Sequence, residues 1–217
     1  MATMTRVFHL AVAAAFLWNA SVLVAQEPLV QVYLVRHPET ETAPADPRAV
    51  HLSDTGRQRA ALLVPTLAGV RISHFFASHT VRTREALEGV ARERSLPIVQ
   101  FPQPGGTLNG RLVTDEISRR EAIEPISRAL LSLKPGSVAL VGLNSENIFA
   151  VLHNLGVPEA PAGGACAVGE MCLPCLNNTC FPPVFDRLWS VAFRAGTSGP
   201  VAFAELRYGA GWSSQGR

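Results

Sequence analysis

The chain has 217 residues, 47% of them hydrophobic and 17% charged, and a formal net charge of +2. That length and apolar content support one domain with a sizeable core and exclude a disordered chain. The near-balanced charge excludes a strongly polyanion-seeking module, so no nucleic-acid partner is expected.

At the N-terminus, Arg6 is followed by an apolar stretch from Val7 to Ala25, with a small residue before Gln26. A basic start, an apolar middle and a small residue at the end describe a secretory signal. Residues 1–25 are expected to be a signal peptide cut after Ala25. The alternative is an uncleaved N-terminal anchor, because the run approaches the length that spans a bilayer. The mature chain is then expected outside the cytoplasm, secreted or periplasmic, with no membrane contact beyond that possible anchor.

Leu29–Val35 is a short apolar run that stops at Arg36-His37-Pro38, and it reads as a buried strand. Ser53 or Asp54 can cap a helix reaching Leu67. A strand over Ile72–Ala77 ends at Ser78-His79-Thr80, and a helix over Arg82–Arg94 follows. Pro97–Phe101 is a third strand. Thr114–Leu133 is helical in pattern but carries Pro125, which must kink or split it. Ser137–Val141 is another strand, and Asn147–Leu155 a helix stopped by Gly156 and Pro158. Two antiparallel strands, Trp189–Arg194 and Val201–Arg207, close the chain.

This alternation implies an α/β fold of three layers, with a mostly parallel sheet, helices on both faces and a C-terminal antiparallel strand pair. One domain over 29–209 is expected, with a Cys-rich loop at 158–183 and a tail at 210–217. In such sheets ligands bind beyond the carboxyl ends of the strands. Arg36-His37, Ser78-His79 and Gly142-Leu143-Asn144 each follow a predicted strand, so topology alone should bring them to one edge.

Three motifs stand out, two of them at these positions: Val35-Arg36-His37-Pro38-Glu39-Thr40, Leu52-Ser53-Asp54-Thr55-Gly56-Arg57-Gln58-Arg59-Ala60, and Ser78-His79-Thr80-Val81-Arg82-Thr83. In this order and spacing they resemble the histidine phosphatase superfamily, the phosphoglycerate-mutase-like fold. Its signature is R-H-G-E-T after the first strand, L-T-x-x-G-x-x-Q-A opening the first helix, and S-x-x-x-R-T after the second strand. The closing segments Phe185-Asp186-Arg187-Leu188-Trp189 and Glu205-Leu206-Arg207-Tyr208-Gly209 resemble one branch of it. The resemblance implies that His37 is the residue phosphorylated during turnover. It implies that Arg36 and Arg82 hold the phosphate and that Ser78 shapes the pocket. The chemistry agrees. Guanidinium groups bind phosphate oxygens bidentately, and a neutral imidazole nitrogen can carry a phosphoryl group covalently. Gly56 reads as a close packing point.

The chain departs from the family after the fourth strand, where a second His is the rule in a V-G-H-S-type turn. Here the sequence is Val141-Gly142-Leu143-Asn144-Ser145-Glu146-Asn147. Counting from Gly142 puts Leu143 at that place, and counting back from the helix puts Asn144 there. Asn144 can donate a hydrogen bond to phosphate without a charge; Leu143 can do neither. The general acid is also open. Asp115 and Glu116 read as the start of a helix, which leaves Glu146 and His79 as the other candidates, for the acid or as a substitute for the second His. His79 itself reads first as a solvent-exposed loop residue.

Cys166, Cys172, Cys175 and Cys180 lie together in one Pro- and Gly-rich loop. In an oxidising compartment they are expected to form two local disulfides rather than a metal site, with three connectivities open. No metal or other cofactor is expected. The expected activity is phosphomonoester hydrolysis through phospho-His37, weakened by the missing second His. The ligand would be a small phosphorylated or anionic molecule. The alternatives are an inactive relative that binds such anions without turnover, and an extracytoplasmic interaction module.

Overall fold

The computed structural model describes residues 27–42, 49–101, 107–108, 111–112, 123–157, 175–176, 179–180, 184–197 and 199–208. The expected signal segment, Asp115 and Glu116, most of the Cys loop and the tail lie outside them. Among the described residues no helix is long and apolar enough to cross a membrane.

Strand β1 (Val30–Arg36) is apolar on both sides. Val30, Val32 and Leu34 enter one core and Val35 the other. Such a strand is stable only when both faces of its sheet are covered. Here they are. On one side α1 (Asp54–Ala61), α2 (Leu63–Thr66) and α3 (Val81–Arg94) pack Leu63, Leu87 and Val90 over Val35. On the other, α4 (Ile123–Leu131) and α5 (Ser145–Asn154) pack Ile126, Leu130, Ile148 and Leu152 over Val32 and Leu34.

The remaining strands are β2 (His74–Ser78), β3 (Ile98–Phe101), β6 (Val138–Leu143), β9 (Arg187–Phe193) and β10 (Pro200–Arg207). Two short hairpins, β4 (Thr107–Leu108) with β5 (Arg111–Leu112) and β7 (Cys175–Leu176) with β8 (Thr179–Cys180), stand apart from the main sheet. That sheet has six strands in the order β10-β9-β1-β6-β2-β3. The four from β1 to β3 are parallel, and β9 pairs antiparallel with both β1 and β10. This is the three-layer α/β fold with a C-terminal antiparallel pair that the sequence predicts.

Two boundaries differ from expectation for physical reasons. The helix expected to reach Leu67 breaks at Leu62 into α1 and α2. Pro65 has no N–H to donate to the Ala61 carbonyl, and its ring crowds that carbonyl. Strand β6 runs through Gly142 and Leu143, which the sequence reads as a turn. Gly142 pairs with Val35 on one side and Ala77 on the other. A Cβ there would stand 2.5 Å from the Thr83 carbonyl oxygen and 3.1 Å from Leu87. The glycine is what lets the first turn of α3 lie directly on β6. Pro125 falls in the first turn of α4.

Gly142→Ala should therefore force α3 away from the sheet. A destabilisation of about 1–3 kcal/mol is expected, as for other overpacked cores. It would be read as a lower urea midpoint with an unchanged slope. A wild-type midpoint would mean that the Thr83 carbonyl can withdraw freely.

Candidate active site

The carboxyl edges of β1, β2 and β6 carry the three segments that the topology was expected to bring together, Arg36-His37, Ser78-His79 and Gly142-Leu143-Asn144. His37 follows β1, and its N–H donates to the Leu143 carbonyl oxygen at 3.0 Å, which prolongs the parallel ladder by one residue. Arg36 is in register with Leu143, so the residue after Leu143 comes beside His37. Leu143 is fully buried in the core under α4 and α5. Asn144, also buried, is the one whose side chain joins the site. Of the two residues that counting leaves open, Asn144 faces Arg82 and Leu143 faces the core.

His37 is 9% exposed. Its Nδ1 lies 2.8 Å from the Pro38 carbonyl oxygen. A carbonyl only accepts, so Nδ1 carries the proton and Nε2 keeps its lone pair. Burial lowers the imidazole pKa; the Pro38 hydrogen bond opposes this, and the Arg82 and Arg36 charges add to it. The result is about 3, so the ring is neutral at ordinary pH. A buried neutral imidazole with a fixed tautomer is what a nitrogen nucleophile requires.

Arg82, in the first turn of α3, is 7% exposed. Its Nε donates to Asn144 Oδ1 at 3.1 Å. Asn144 Nδ2 in turn donates to Ser78 Oγ at 3.4 Å. Ser78 Oγ donates to Thr83 Oγ1 at 2.9 Å, and Thr83 Oγ1 also lies 2.8 Å from the Ser78 carbonyl oxygen. This chain of bonds fixes the Arg82 stem from behind. Asn144 caps α5 without a side-chain bond to the helix. Its amide is committed to Arg82 and Ser78 instead, although Asn at this position ordinarily serves the helix. Ser78 is likewise turned to protein partners.

Arg36 has its guanidinium carbon 4.1 Å from the centroid of the Phe185 ring. That ring is also 6.5 Å from the His37 ring. Tyr208 holds Phe185 in place: its hydroxyl donates to the Phe185 carbonyl oxygen at 2.6 Å, and its N–H to the Asp186 carbonyl oxygen at 3.1 Å.

The loop after His37 is braced separately. Arg59 Nε donates to both Glu39 carboxylate oxygens, at 3.0 and 2.9 Å. Burial pushes the Glu39 carboxyl up, but the Arg59 hydrogen bond and charge prevail and hold it below its usual range. The Ser53 N–H donates to the Glu39 carbonyl oxygen at 3.0 Å. A Cβ on Gly56 would stand 2.0 Å from that same oxygen. Gly56 is the close packing point the motif implies, and it lies against the loop that follows His37.

His79 lies between Ser78 and Thr80 at this edge. It is half-buried and both ring nitrogens are shielded from water, so the reading of it as a solvent-exposed loop residue is corrected. Glu146 is in the first turn of α5, and its side chain is outside the described residues. Cys166 and Cys172 are also outside them, whereas Cys175 and Cys180 are partners across the β7–β8 ladder. A surface depression lined by Arg128, Leu131, Ser132, Gly196 and Thr197 is at the other end of the strands, away from His37.

Sequence reasoning assigns no role to Thr83, Glu39, Arg59, Phe185 or Tyr208. The first three sit inside the quoted motifs, where their spacing to His37 and Arg82 was the available signal. Phe185 and Tyr208 lie inside the closing segments that carry the resemblance, but they reach the site through antiparallel pairing, which those segments alone do not reveal.

Residues 32–103 match the family model of the histidine phosphatase superfamily (branch 1). Solved structures share the fold. The mycobacterial glucosyl-3-phosphoglycerate phosphatase is similar at 12% identity and a TM-score of 0.52, with 82% of this chain and 97% of that one covered. YhfR of Bacillus stearothermophilus is similar at 14% identity and a TM-score of 0.51, covering 80% and 96%. A phosphoserine phosphatase of Entamoeba histolytica, solved with 3-phosphoglyceric acid, is similar at 16% identity and a TM-score of 0.50, covering 82% and 98%. No curated protein sequence matches the chain. The motifs that follow β1 and β2 lie at one sheet edge, and the match to the histidine phosphatase superfamily model spans both of them and the Leu52–Ala60 motif between.

Proposed function

We propose that this chain hydrolyses small phosphomonoesters through a phospho-His37 intermediate, at a rate weakened by the absence of a second histidine. The observation that carries the reading is the neutral His37 ring, with Nδ1 tied to Pro38 and with Arg36 and Arg82 close enough to perturb it. In the first step Nε2 attacks phosphorus, the N–P bond forms, and the P–O bond to the leaving group breaks. In the second, water attacks the phosphoryl group, the N–P bond breaks, and phosphate leaves. Arg36 and Arg82 stabilise the charge on the phosphoryl oxygens in both steps. The leaving oxygen takes a proton from an acid for which Glu146 and His79 remain the candidates.

Binding without turnover is the second reading. It is favoured by Asn144, whose Oδ1 accepts from Arg82 where the family has a cationic donor. Loss of one preorganised donor costs about 10²–10³ in rate. An aryl phosphate, with a leaving group that needs little protonation, separates the two. Wild type should hydrolyse it slowly, His37→Ala not at all, and Asn144→His faster by up to about 10²-fold. Leu143→His should gain nothing, because that position is in the apolar core. Ordinary phosphatase rates in wild type, lost in His37→Ala, would sink the weakened-enzyme claim. Phosphate binding with no turnover in any variant would favour the second reading.

The pH behaviour follows from His37. Its pKa falls from 6.5 to about 3 on folding, so between those values the unfolded chain binds more protons. His37 therefore lowers stability as pH falls through that window and adds nothing further below it. The His37 ring ¹⁵N resonances should not titrate between about pH 8 and pH 5. His37→Gln should lose less stability than wild type over the acid part of the window. A His37 midpoint near its ordinary value would remove the neutral-nucleophile premise.

Export after residues 1–25 and two disulfides belong to the same proposal. The register that sets Cys175 opposite Cys180 supports a bond between these two, leaving Cys166 to Cys172. Non-reducing peptide mapping of protein secreted by its host should recover that pairing and an N-terminus at Gln26. Four free thiols holding zinc would reverse it.

A further inference from the structure

Phe185 lies two residues before β9 and is half-buried. Strand β9 pairs antiparallel with β1, with Leu188 opposite Val35, so the chain just before it passes Arg36 and His37. The ring covers the Arg36 guanidinium at 4.1 Å and flanks His37 at 6.5 Å. Its backbone is pinned by Tyr208, which is 2% exposed. Burial raises the Tyr208 phenol pKa well above its ordinary value, so the hydroxyl stays a donor at working pH. A guanidinium stacked on an aromatic face keeps its N–H edge for an anion and loses freedom to swing away.

We propose that Phe185, held by Tyr208, is a positioning residue that fixes the Arg36 guanidinium for the phosphate beside His37. The proposal rests on the phosphatase reading only for the anion; the hold on Arg36 stands apart from it. The ring face matters, not the apolar volume. Phe185→Tyr keeps the face, Phe185→Leu keeps only bulk, and the residue's partial exposure lets either be made without opening the core.

Two measurements test it. The first is the Arg36 Nε–H resonance, which the ring current of Phe185 should displace in wild type and in Phe185→Tyr. In Phe185→Leu the displacement should vanish, and Tyr208→Phe should reduce it. The second is the affinity for inorganic phosphate and tungstate. Phe185→Leu should weaken it about 3–10-fold, the range of a partly desolvated cation–π contact, and Phe185→Tyr should restore it. In an Arg36→Ala background the same change should cost nothing further. An Arg36 resonance indifferent to Phe185→Leu overturns the proposal and leaves the phosphatase reading intact. So does an equal loss of affinity with and without Arg36. Wild type that binds neither anion overturns the phosphatase reading, while the Arg36 resonance still decides whether Phe185 holds that residue.

Discussion

The site depends on keeping an imidazole neutral and dry next to two permanent cations. His37 achieves this by burial, while its Nδ1–H donates to the Pro38 carbonyl oxygen, 2.8 Å away, and so fixes the tautomer. The arrangement is demanding, because neither neighbouring guanidinium can lose its charge. Any looseness that admitted water would bring the ring back toward its ordinary pKa and toward protonation, which removes the Nε2 lone pair. The surrounding structure supplies the needed rigidity. Arg59 grips Glu39, α1 lies on the Glu39 backbone across Gly56, and β1 is buried on both faces.

Asn144 changes what that pocket can do. It is hydrogen-bonded between Arg82 on one side and Ser78 on the other, and it brings no charge. The helices α3 and α5 both begin at this edge, and their N-termini favour an anion. Their help is bounded. A helix terminus contributes at most about 2 kcal/mol in a partly buried setting. A lost preorganised donor removes about 3–4 kcal/mol of transition-state stabilisation. Ground-state binding of an anion can thus survive where turnover suffers, which is why affinity and rate must be measured apart.

Much of this was legible in the sequence, because the fold's logic is local there. Strand β1 announces itself as an apolar run, and the parallel strands end at their motifs. The S-x-x-x-R-T spacing puts Arg82 in the first turn of a helix. Reading failed where the deciding contact is distant. Gly142 looked like a turn because glycine usually marks one; only the approach of Thr83 shows that it is a strand residue without room for a side chain. Leu143 and Asn144 could not be told apart by counting, since the answer lies in the register of β6 against β1.

The fourth wall of the site shows the same limit most plainly. Functional residues in parallel sheets collect beyond strand ends, and that rule locates Arg36, His37 and Asn144. An antiparallel strand reverses it. Because β9 runs against β1, the residues before it, not after it, reach the active edge. Because β10 runs back against β9, its last residues arrive at that edge too. Phe185 and Tyr208 are therefore far apart in the chain and adjacent in space, joined by a 2.6 Å hydrogen bond. The terminal strand pair is thus more than an extension of the sheet: its direction delivers an aromatic face to Arg36, which four parallel strands alone would leave open on that side.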